Sequence, residues 1–371
     1  MNRARSALLV GLLLILVGLF GGELWLRATV HPPASVDWPY LWPPLERHVY
    51  AVDASLPGLE PTEALVTTNA LGLRGDELDL ADGRPRILTL GGSVTECLLL
   101  DDGDTWPHKL QQELLKRGID AWVGNGGRSG QATVDYTLHV LELVPRLHPD
   151  LVIVMPGAND LQAAMEDRYF PVDLADAGQR QRMASSAYPP DRSERIEELQ
   201  ISYLAFELRR RAATPRTEIG GFYRAMKERR AAAAHLDELP DAALLLEIYR
   251  ANVELLAVAA RDTPLLLLTH PHLWKPDLSA DEAAATWGGY SCMSCPAPVY
   301  YSAAVVAGTL GALNQQTLAV CARGSARCFD LDAAIDRSLD NFYDGAHLTA
   351  AGSARVAAAL ADHIASEGLL R

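Results

Sequence analysis

Residues 86–93 read RILTLGGS, and this mostly apolar run, which ends in two glycines and a serine, gives the strongest indication of the fold. Two later stretches repeat the pattern: LVIVM at 151–155 runs into PGAND, and LLLL at 265–268 runs into Thr269 and His270. Apolar runs without alternation are typical of parallel strands that are buried on both faces of a sheet. Each run therefore predicts a central strand, followed by a turn at its carboxyl end.

Helical spacing fills the intervals between these strands. Further short strands are predicted at 121–123 and 328–331. Helices are predicted at 105–117, 133–147, 244–260 and 349–369. Repeated strand–helix units predict a three-layer α/β/α sandwich with a mostly parallel sheet. Ligands bind such sheets at the carboxyl ends of the strands, so the residues just after each strand are the informative ones.

The composition fits a folded protein that does not bind nucleic acid. The chain has 371 residues, of which 49% are hydrophobic and 22% are charged, which excludes a disordered chain. Its 33 Lys and Arg face 47 Asp and Glu, which gives a net charge of −14 at pH 7. A surface this acidic repels phosphate backbones, so no nucleic-acid partner is expected.

An apolar segment lies at the amino terminus. Residues 6–22 carry no charge, and Arg3 and Arg5 precede them. This length suffices for a transmembrane helix, and the arginines predict a cytoplasmic amino terminus. We expect residues 1–28 to form a single-pass anchor in the inner (cytoplasmic) membrane, with the rest of the chain periplasmic or extracellular. The alternative is a signal peptide cleaved near 28–30, which would release a secreted protein.

Three regions are expected beyond the anchor. The proline-rich sequence at 31–44 favours an extended linker over 29–66. A catalytic or binding domain is expected over 67–371. Within it, the polar interval 161–240 is rich in Arg, Ala and Glu and predicts a helical insertion or lid.

Five cysteines bear on the compartment. Cys292 and Cys295 form a CxxC, and Cys321 and Cys328 lie about thirty residues further on. An exported domain favours structural disulfides among these four. Three pairings are possible, and the sequence does not choose among them. Cys97 would be the odd one, buried and inert.

Several chemically useful residues follow the predicted strands. They are Ser93, Gly130, Asn159, Asp344 and His347. Each alone has an ordinary explanation as a turn or helix-capping residue. Together they supply a hydroxyl nucleophile, an imidazole that takes its proton, and a carboxylate that orients the imidazole. The three-residue spacing of Asp344 and His347 lets one local turn bring the two side chains together.

Attack on an ester also needs donors for the oxyanion that forms. The backbone N–H groups of Ser93 and Gly130 and the amide of Asn159 would supply three donors. Glycine at 130 permits close approach of the backbone to a substrate. Gly127 is the rival candidate in the same glycine-rich stretch.

At these residues the chain resembles the SGNH hydrolase superfamily, the GDSL-type esterases and lipases. The matching blocks are GGS at 91–93, NGGRSG at 125–130, GAND at 157–160 and DGAH at 344–347. The stretch 68–75 is similar to the lead-in of exported members. Gly92 stands where the family's eponymous aspartate is found. The resemblance implies a flavodoxin-like SGNH fold, Ser93 as nucleophile and no metal or cofactor.

The resemblance implies a serine hydrolase that cleaves carboxylic esters through an acyl-enzyme. The expected substrate is a small-molecule, glycan or lipid ester. Two alternatives stay open: an O-acyltransferase acting on a cell-envelope polysaccharide with the same residues, and a non-catalytic envelope binding or scaffold protein. An α/β-hydrolase nucleophile motif G-x-S-x-G is excluded because Thr95 occupies its last position. His270 and His272 are expected to be packing or rim residues.

Overall fold

The computed structural model describes residues 2–32, 38–52, 56–59, 63–188, 199, 201–296 and 298–370. Parts of the expected linker (33–37, 53–55 and 60–62) and of the expected insertion (189–198 and 200) lie outside the described residues.

Strands and helices alternate through most of the chain. The strands are β1 (Arg47–Ala51), β2 (Glu63–Thr67), β3 (Arg86–Gly91), β4 (Trp122–Gly127), β5 (Leu151–Met155), β6 (Arg216–Glu218), β7 (His235–Leu236), β8 (Leu265–Leu268), β9 (Tyr300–Tyr301) and β10 (Arg327–Phe329). The helices are α1 (Asn2–Thr29), α2 (Ser93–Glu96), α3 (Trp106–Lys116), α4 (Thr133–Leu147), α5 (Ala158–Met165), α6 (Ala177–Ala187), α7 (Tyr203–Ala212), α8 (Gly220–Ala232), α9 (Ala242–Ala259), α10 (Ala280–Ala285), α11 (Ala303–Ala322), α12 (Leu331–Ala334) and α13 (Ala350–Ser366).

The central sheet has the strand order β10-β8-β5-β3-β4, and all of its pairings are parallel. Successive residues of β5 enter two different cores. Val152 and Val154 pack with α4, α9 and α11 on one face, whereas Leu151 and Ile153 pack with α3 and α13 on the other. A strand must be apolar at every position to serve two cores. The predicted α/β/α sandwich with a parallel sheet is confirmed.

The described residues between α1 and the central sheet include paired strands, whereas the sequence predicted an extended linker. β1 pairs antiparallel with β2 and parallel with β6, which lies far along the chain. Trp38 and Leu41 are buried in the core on the α4 side of the sheet. These described residues therefore form paired strands and packed core, because their apolar side chains cover the central sheet. The domain boundaries stay a prediction.

β4 extends further than the strand that the sequence predicted at 121–123. The sequence placed the following glycines in a turn. Gly124 to Gly127 belong to the strand itself. A Cβ on Gly127 would lie 2.2 Å from the backbone nitrogen of Glu96. Glycine at this position therefore lets the backbone of α2 pack directly on β4.

The amino-terminal segment forms one long helix. The most apolar 18-residue stretch within Arg5–Thr29 has a mean hydropathy of 2.4, and the rest of the protein does not bury it. By length and composition this helix could cross a membrane or serve as a signal sequence.

The cysteines pair locally. Cys292 bonds to Cys295 and Cys321 bonds to Cys328, which resolves the pairing that the sequence left open. Cys97 is buried with a free thiol.

Candidate active site

Ser93 is the first residue of α2 and follows the carboxyl end of β3 after Gly92. Its Oγ lies 2.7 Å from Nε2 of His347, across 254 residues of sequence. Ser93 lies at the carboxyl-terminal edge of the sheet because it follows β3. His347 lies at the same edge, in the loop before α13.

A tight turn holds Asp344 against His347. Oδ1 of Asp344 accepts the backbone N–H groups of Ala346 at 2.9 Å and His347 at 2.8 Å. Its Oδ2 lies 2.7 Å from Nδ1 of His347. Asp344 is 1% exposed, so protein donors rather than water satisfy its carboxylate. The spacing of three residues thus lets one local turn bring the side chains of Asp344 and His347 together.

Charge complementarity tunes this pair. Burial disfavours the charged form of Asp344, but the facing His347 and the two backbone donors hold the pKa of Asp344 below its usual range. Burial likewise disfavours the imidazolium of His347, but the Asp344 carboxylate and its hydrogen bond raise the pKa of His347. The imidazole is therefore a stronger base than an isolated histidine.

Aromatic residues that the sequence did not indicate surround the pair. Trp287 donates its indole N–H to Oδ2 of Asp344 at 2.7 Å. The rings of Trp287 and Tyr343 lie within 6° and 10° of parallel to the His347 ring. Tyr343 directly precedes the DGAH block, but Trp287 lies 57 residues upstream of Asp344 and follows no predicted strand. Nothing in its sequence context could have identified it.

The oxyanion candidates lie beside the serine. Gly130 has a φ of +81° in the loop after β4, a conformation that favours glycine. Asn159 is the second residue of α5, and its Nδ2 donates to the backbone oxygen of Gln131 at 2.7 Å. The same Nδ2 would lie 2.1 Å from a Cβ on Gly92. Both residues line the cavity that contains Ser93, whereas Gly127 is packed under α2.

Two buried carboxylates hold these loops in place. Glu96 accepts the backbone N–H of Ser129 at 2.8 Å and also the Ser129 hydroxyl. Asp160 accepts the N–H groups of Thr133 at 3.0 Å and Gly157 at 2.9 Å. Burial raises the pKa of both carboxyl groups. The loops that follow β4 and β5 are therefore fixed to the helices beside the serine.

The five strand-end residues open onto one cavity of about 670 Å³. Its wall includes many aromatic and methionine side chains: Met165, Tyr169, Phe170, Met183, Phe222, Tyr223, Trp274, Trp287, Tyr290, Met293 and Tyr343. Much of this wall comes from the interval 161–240 and from the loop of the Cys292–Cys295 disulfide.

His270 and His272 are buried packing residues. Burial lowers the pKa of His270 to about 4 and that of His272 to about 3, so both rings are neutral. Only His270 lines the cavity.

An α/β/α sandwich that carries a hydrogen-bonded serine, histidine and aspartate at its strand ends has the arrangement of a serine hydrolase. Residues 89–355 match the GDSL-like Lipase/Acylhydrolase family, and the chain belongs to this family. The SGNH/GDSL resemblance drawn from the sequence is thereby confirmed.

Individual relatives share between 14% and 27% sequence identity with this chain. An arylesterase from Vibrio mimicus is 27% identical over 121 residues, which cover 31% of this chain and 60% of the relative. An acetylxylan esterase from Geobacillus stearothermophilus is 14% identical, with a TM-score of 0.41 over 77% of this chain and 96% of that chain. A lipase/acylhydrolase from Enterococcus faecalis is also 14% identical, with a TM-score of 0.42 over 76% of this chain and 96% of that chain.

Proposed function

We propose that the protein is a serine esterase that cleaves carboxylic esters through an acyl-enzyme. The observation that carries the proposal is the continuous chain of hydrogen bonds from Ser93 Oγ through His347 to Asp344, with 2.7 Å at each step. A serine hydroxyl becomes a useful nucleophile only when such a base takes its proton.

In the first half-reaction, Ser93 Oγ bonds to the ester carbonyl carbon while its proton passes to Nε2 of His347. The resulting oxyanion accepts hydrogen bonds from the N–H groups of Ser93 and Gly130 and from Nδ2 of Asn159. When the carbon–oxygen bond to the alcohol breaks, His347 returns the proton to the leaving oxygen. Asp344 stays ionised and stabilises the imidazolium throughout.

In the second half-reaction, water repeats the sequence on the acyl-Ser93 ester. His347 takes a proton from water, and the hydroxide bonds to the acyl carbon. Collapse then breaks the bond to Ser93 Oγ, which regains its proton from His347. A sugar hydroxyl in place of water would make the same site an O-acyltransferase.

The cavity favours an ester with a sizeable apolar group. Phe170, Phe222 and Met293 line it and are 40%, 42% and 41% exposed, so apolar surface continues outward from the site. Apolar lining of this extent is typical of sites that bury an apolar ligand. We propose an acylated lipid or acylated glycan as the substrate.

The test compares the full-length protein in detergent with its Ser93→Ala variant on aryl esters of increasing acyl length. Removing a triad serine lowers kcat by about 10³-fold or more. Ser366→Ala is the matched control, because Ser366 lies at the end of α13, outside the cavity lining, and its hydroxyl donates to the backbone oxygen of His363. Equal rates for wild type and Ser93→Ala would overturn the proposal.

We propose that α1 is retained as a membrane anchor, with the catalytic domain on the periplasmic or extracellular side. The support is a contact between α1 and the insertion. Glu23 accepts hydrogen bonds from the Ser202 hydroxyl at 3.0 Å and from the backbone N–H groups of Tyr203 at 3.2 Å and Leu204 at 2.8 Å. Signal cleavage near 28–30 would remove this cap from the start of α7.

A further inference from the structure

Asp344 accepts four hydrogen bonds, and Trp287 supplies one of them. Two backbone N–H groups reach Oδ1, while the ring N–H of His347 and the indole N–H of Trp287 share Oδ2. The free-energy cost of burying a carboxylate is offset only when hydrogen-bond donors satisfy its oxygen atoms. Without the indole, Oδ2 would keep only the ring N–H of His347 as a donor, while the two backbone N–H groups would still hold Oδ1.

The ring of Trp287 is also parallel to the ring of His347. The two rings are parallel to within 6°, with centroids 6.2 Å apart. Tyr223 meets the Trp287 ring edge-on, with an interplanar angle of 87° and a centroid distance of 5.6 Å. Trp287 is therefore held from the α8 side while it contacts both members of the Asp344–His347 pair.

The backbone beside Trp287 is clamped by the insertion and by α5. Arg230 of α8 donates to the backbone oxygens of Gly288 at 2.7 Å and Tyr301 at 2.9 Å. Gln162 of α5 donates to the backbone oxygen of Tyr290 at 2.9 Å. Arg230 is only 5% exposed, so this clamp is part of the packed structure. A rigid support of this kind is what a precisely held catalytic group requires.

We infer that Trp287 is a positioning residue for the ester-cleaving reaction. Its indole N–H orients the Asp344 carboxylate, and its ring keeps the His347 imidazole aimed at Ser93. The inference rests on the proposed function, because it assigns a task in the same proton transfer. Trp287 acts through Asp344 and His347 and does not itself exchange a proton.

The test replaces Trp287 by phenylalanine, which keeps an aromatic ring and removes the N–H donor. We expect kcat on a small aryl ester to fall by about tenfold or more, because hydrogen bonds to charged groups are among the strongest. KM should change little. The acid limb of the pH profile should move to higher pH, because an Asp344 that has lost a donor attracts a proton on His347 more strongly.

The other groups that act on His347 stay in place in this variant. They are Asp344 and Glu96, whose charges favour the imidazolium, together with His270 and Tyr343. Trp38→Phe is the matched control, because it removes another buried indole donor, which bonds to the backbone oxygen of Leu71 at 2.9 Å and lies outside the cavity lining. It should leave the midpoint of the pH profile where it is in the wild type.

A second measurement does not depend on activity or on the folding of a variant. In wild-type protein labelled with ¹⁵N-tryptophan, the indole N–H resonance of Trp287 should shift with pH at the same midpoint as the ring of His347. A lower kcat in Trp287→Phe with an unmoved pH midpoint, or an indole resonance that does not titrate with His347, would overturn the inference. Loss of the proposed function is recognised separately, by a wild-type rate equal to that of Ser93→Ala.

Discussion

Gly92 is the residue at which the proposed nucleophile Ser93 and the proposed oxyanion donor Asn159 meet. Its hydrogen-only side chain lets Nδ2 of Asn159 approach to where a Cβ would lie 2.1 Å away. Gly92→Ala would push the Asn159 amide from its place, although the φ of −84° suits alanine. We expect kcat on an aryl ester to fall by about tenfold or more, since a displaced oxyanion donor costs 10²–10³ in the best-studied case.

Gly83→Ala is the control for this substitution, because no atom lies within 4 Å of the position where its Cβ would stand. Asn159→Ala should lower kcat by about 10²-fold. The double variant Gly92→Ala, Asn159→Ala should then be little worse than Asn159→Ala alone, because both changes remove the same donor. Additive losses would show that Gly92 acts independently of Asn159.

The pH dependence should follow His347. The imidazole must be neutral to take the proton of Ser93, and its pKa is raised by the Asp344 carboxylate in spite of burial. Protonation at low pH removes the base, so kcat/KM should rise with pH through a midpoint above the usual value for histidine. In Asp344→Asn, burial remains while the opposite charge is lost, so the midpoint should move below the wild-type value. A midpoint that stays fixed in Asp344→Asn would contradict the electrostatic coupling.

Sequence could predict most residues of this site because each lies in a short motif at a strand end. Ser93 follows a recognisable buried strand, and Asp344 and His347 belong to one local turn. Trp287 was not predictable, because its link to Asp344 depends on how the loop after α10 packs against the sheet domain. The choice between Gly127 and Gly130 as the residue lining the cavity also needed the structure, since only packing distinguishes two glycines in one run.

At the scale of elements, Arg74 explains the lead-in stretch 68–75. It is 3% exposed and donates to the backbone oxygens of Glu96 and Cys97 at 2.7 Å each, at the end of α2. Its Nε also donates to Asp102 at 2.7 Å. The guanidinium thus ties the short helix of the nucleophile to the β2 region.

Arg74→Met should destabilise the protein by about 3–5 kcal/mol, because it leaves Asp102 and the α2 carbonyl groups without their buried partner. Thermal unfolding followed by circular dichroism measures the change. Arg216→Met is the control, since Arg216 and its partner Glu63 are 53% and 56% exposed and such pairs contribute about 0–1 kcal/mol. Similar melting temperatures for the two variants would refute this role of Arg74.

Elements with continuous apolar patterns were predictable, and those fixed by distant pairing were not. The runs at 151–155 and 265–268 coincide with β5 and β8 because a strand between two cores is apolar at every position. β1 has no such pattern, because four of its five residues are only partly buried. Its pairing with β6 also spans more than 160 residues of sequence, which no local pattern reveals. The end of β4 was missed because its glycines read as a turn until the packing of α2 explains them.

For the molecule as a whole, the interval 161–240 connects the amino-terminal helix to the wall of the cavity. Its helix α7 contacts α1, and its strand β6 joins β1. The following helix α8 brings Phe222 and Tyr223 into the cavity. If α1 is embedded in a membrane, that membrane therefore lies on the side of the molecule that carries this interval. This placement suits a substrate with an apolar group.

The proposed retention of α1 has a direct consequence for the start of α7. Glu23 caps the first N–H groups of this helix, and Arg27 donates to Glu23 at 2.7 Å while lying over the ring of Tyr203. Glu23→Ala should let the first turn of α7 fray, because capping substitutions cost about 0.5–2 kcal/mol. Trypsin should then cut faster at the arginines of α7 in membrane preparations, because a helix of only ten residues that loses its first turn is destabilised along its whole length. Glu228→Ala, on the exposed face of α8, should leave the cleavage rate unchanged.

Intact-mass analysis of the membrane-bound protein should show the amino-terminal helix still attached, whereas a soluble product that begins near His31 would identify a cleaved signal and exclude the anchor.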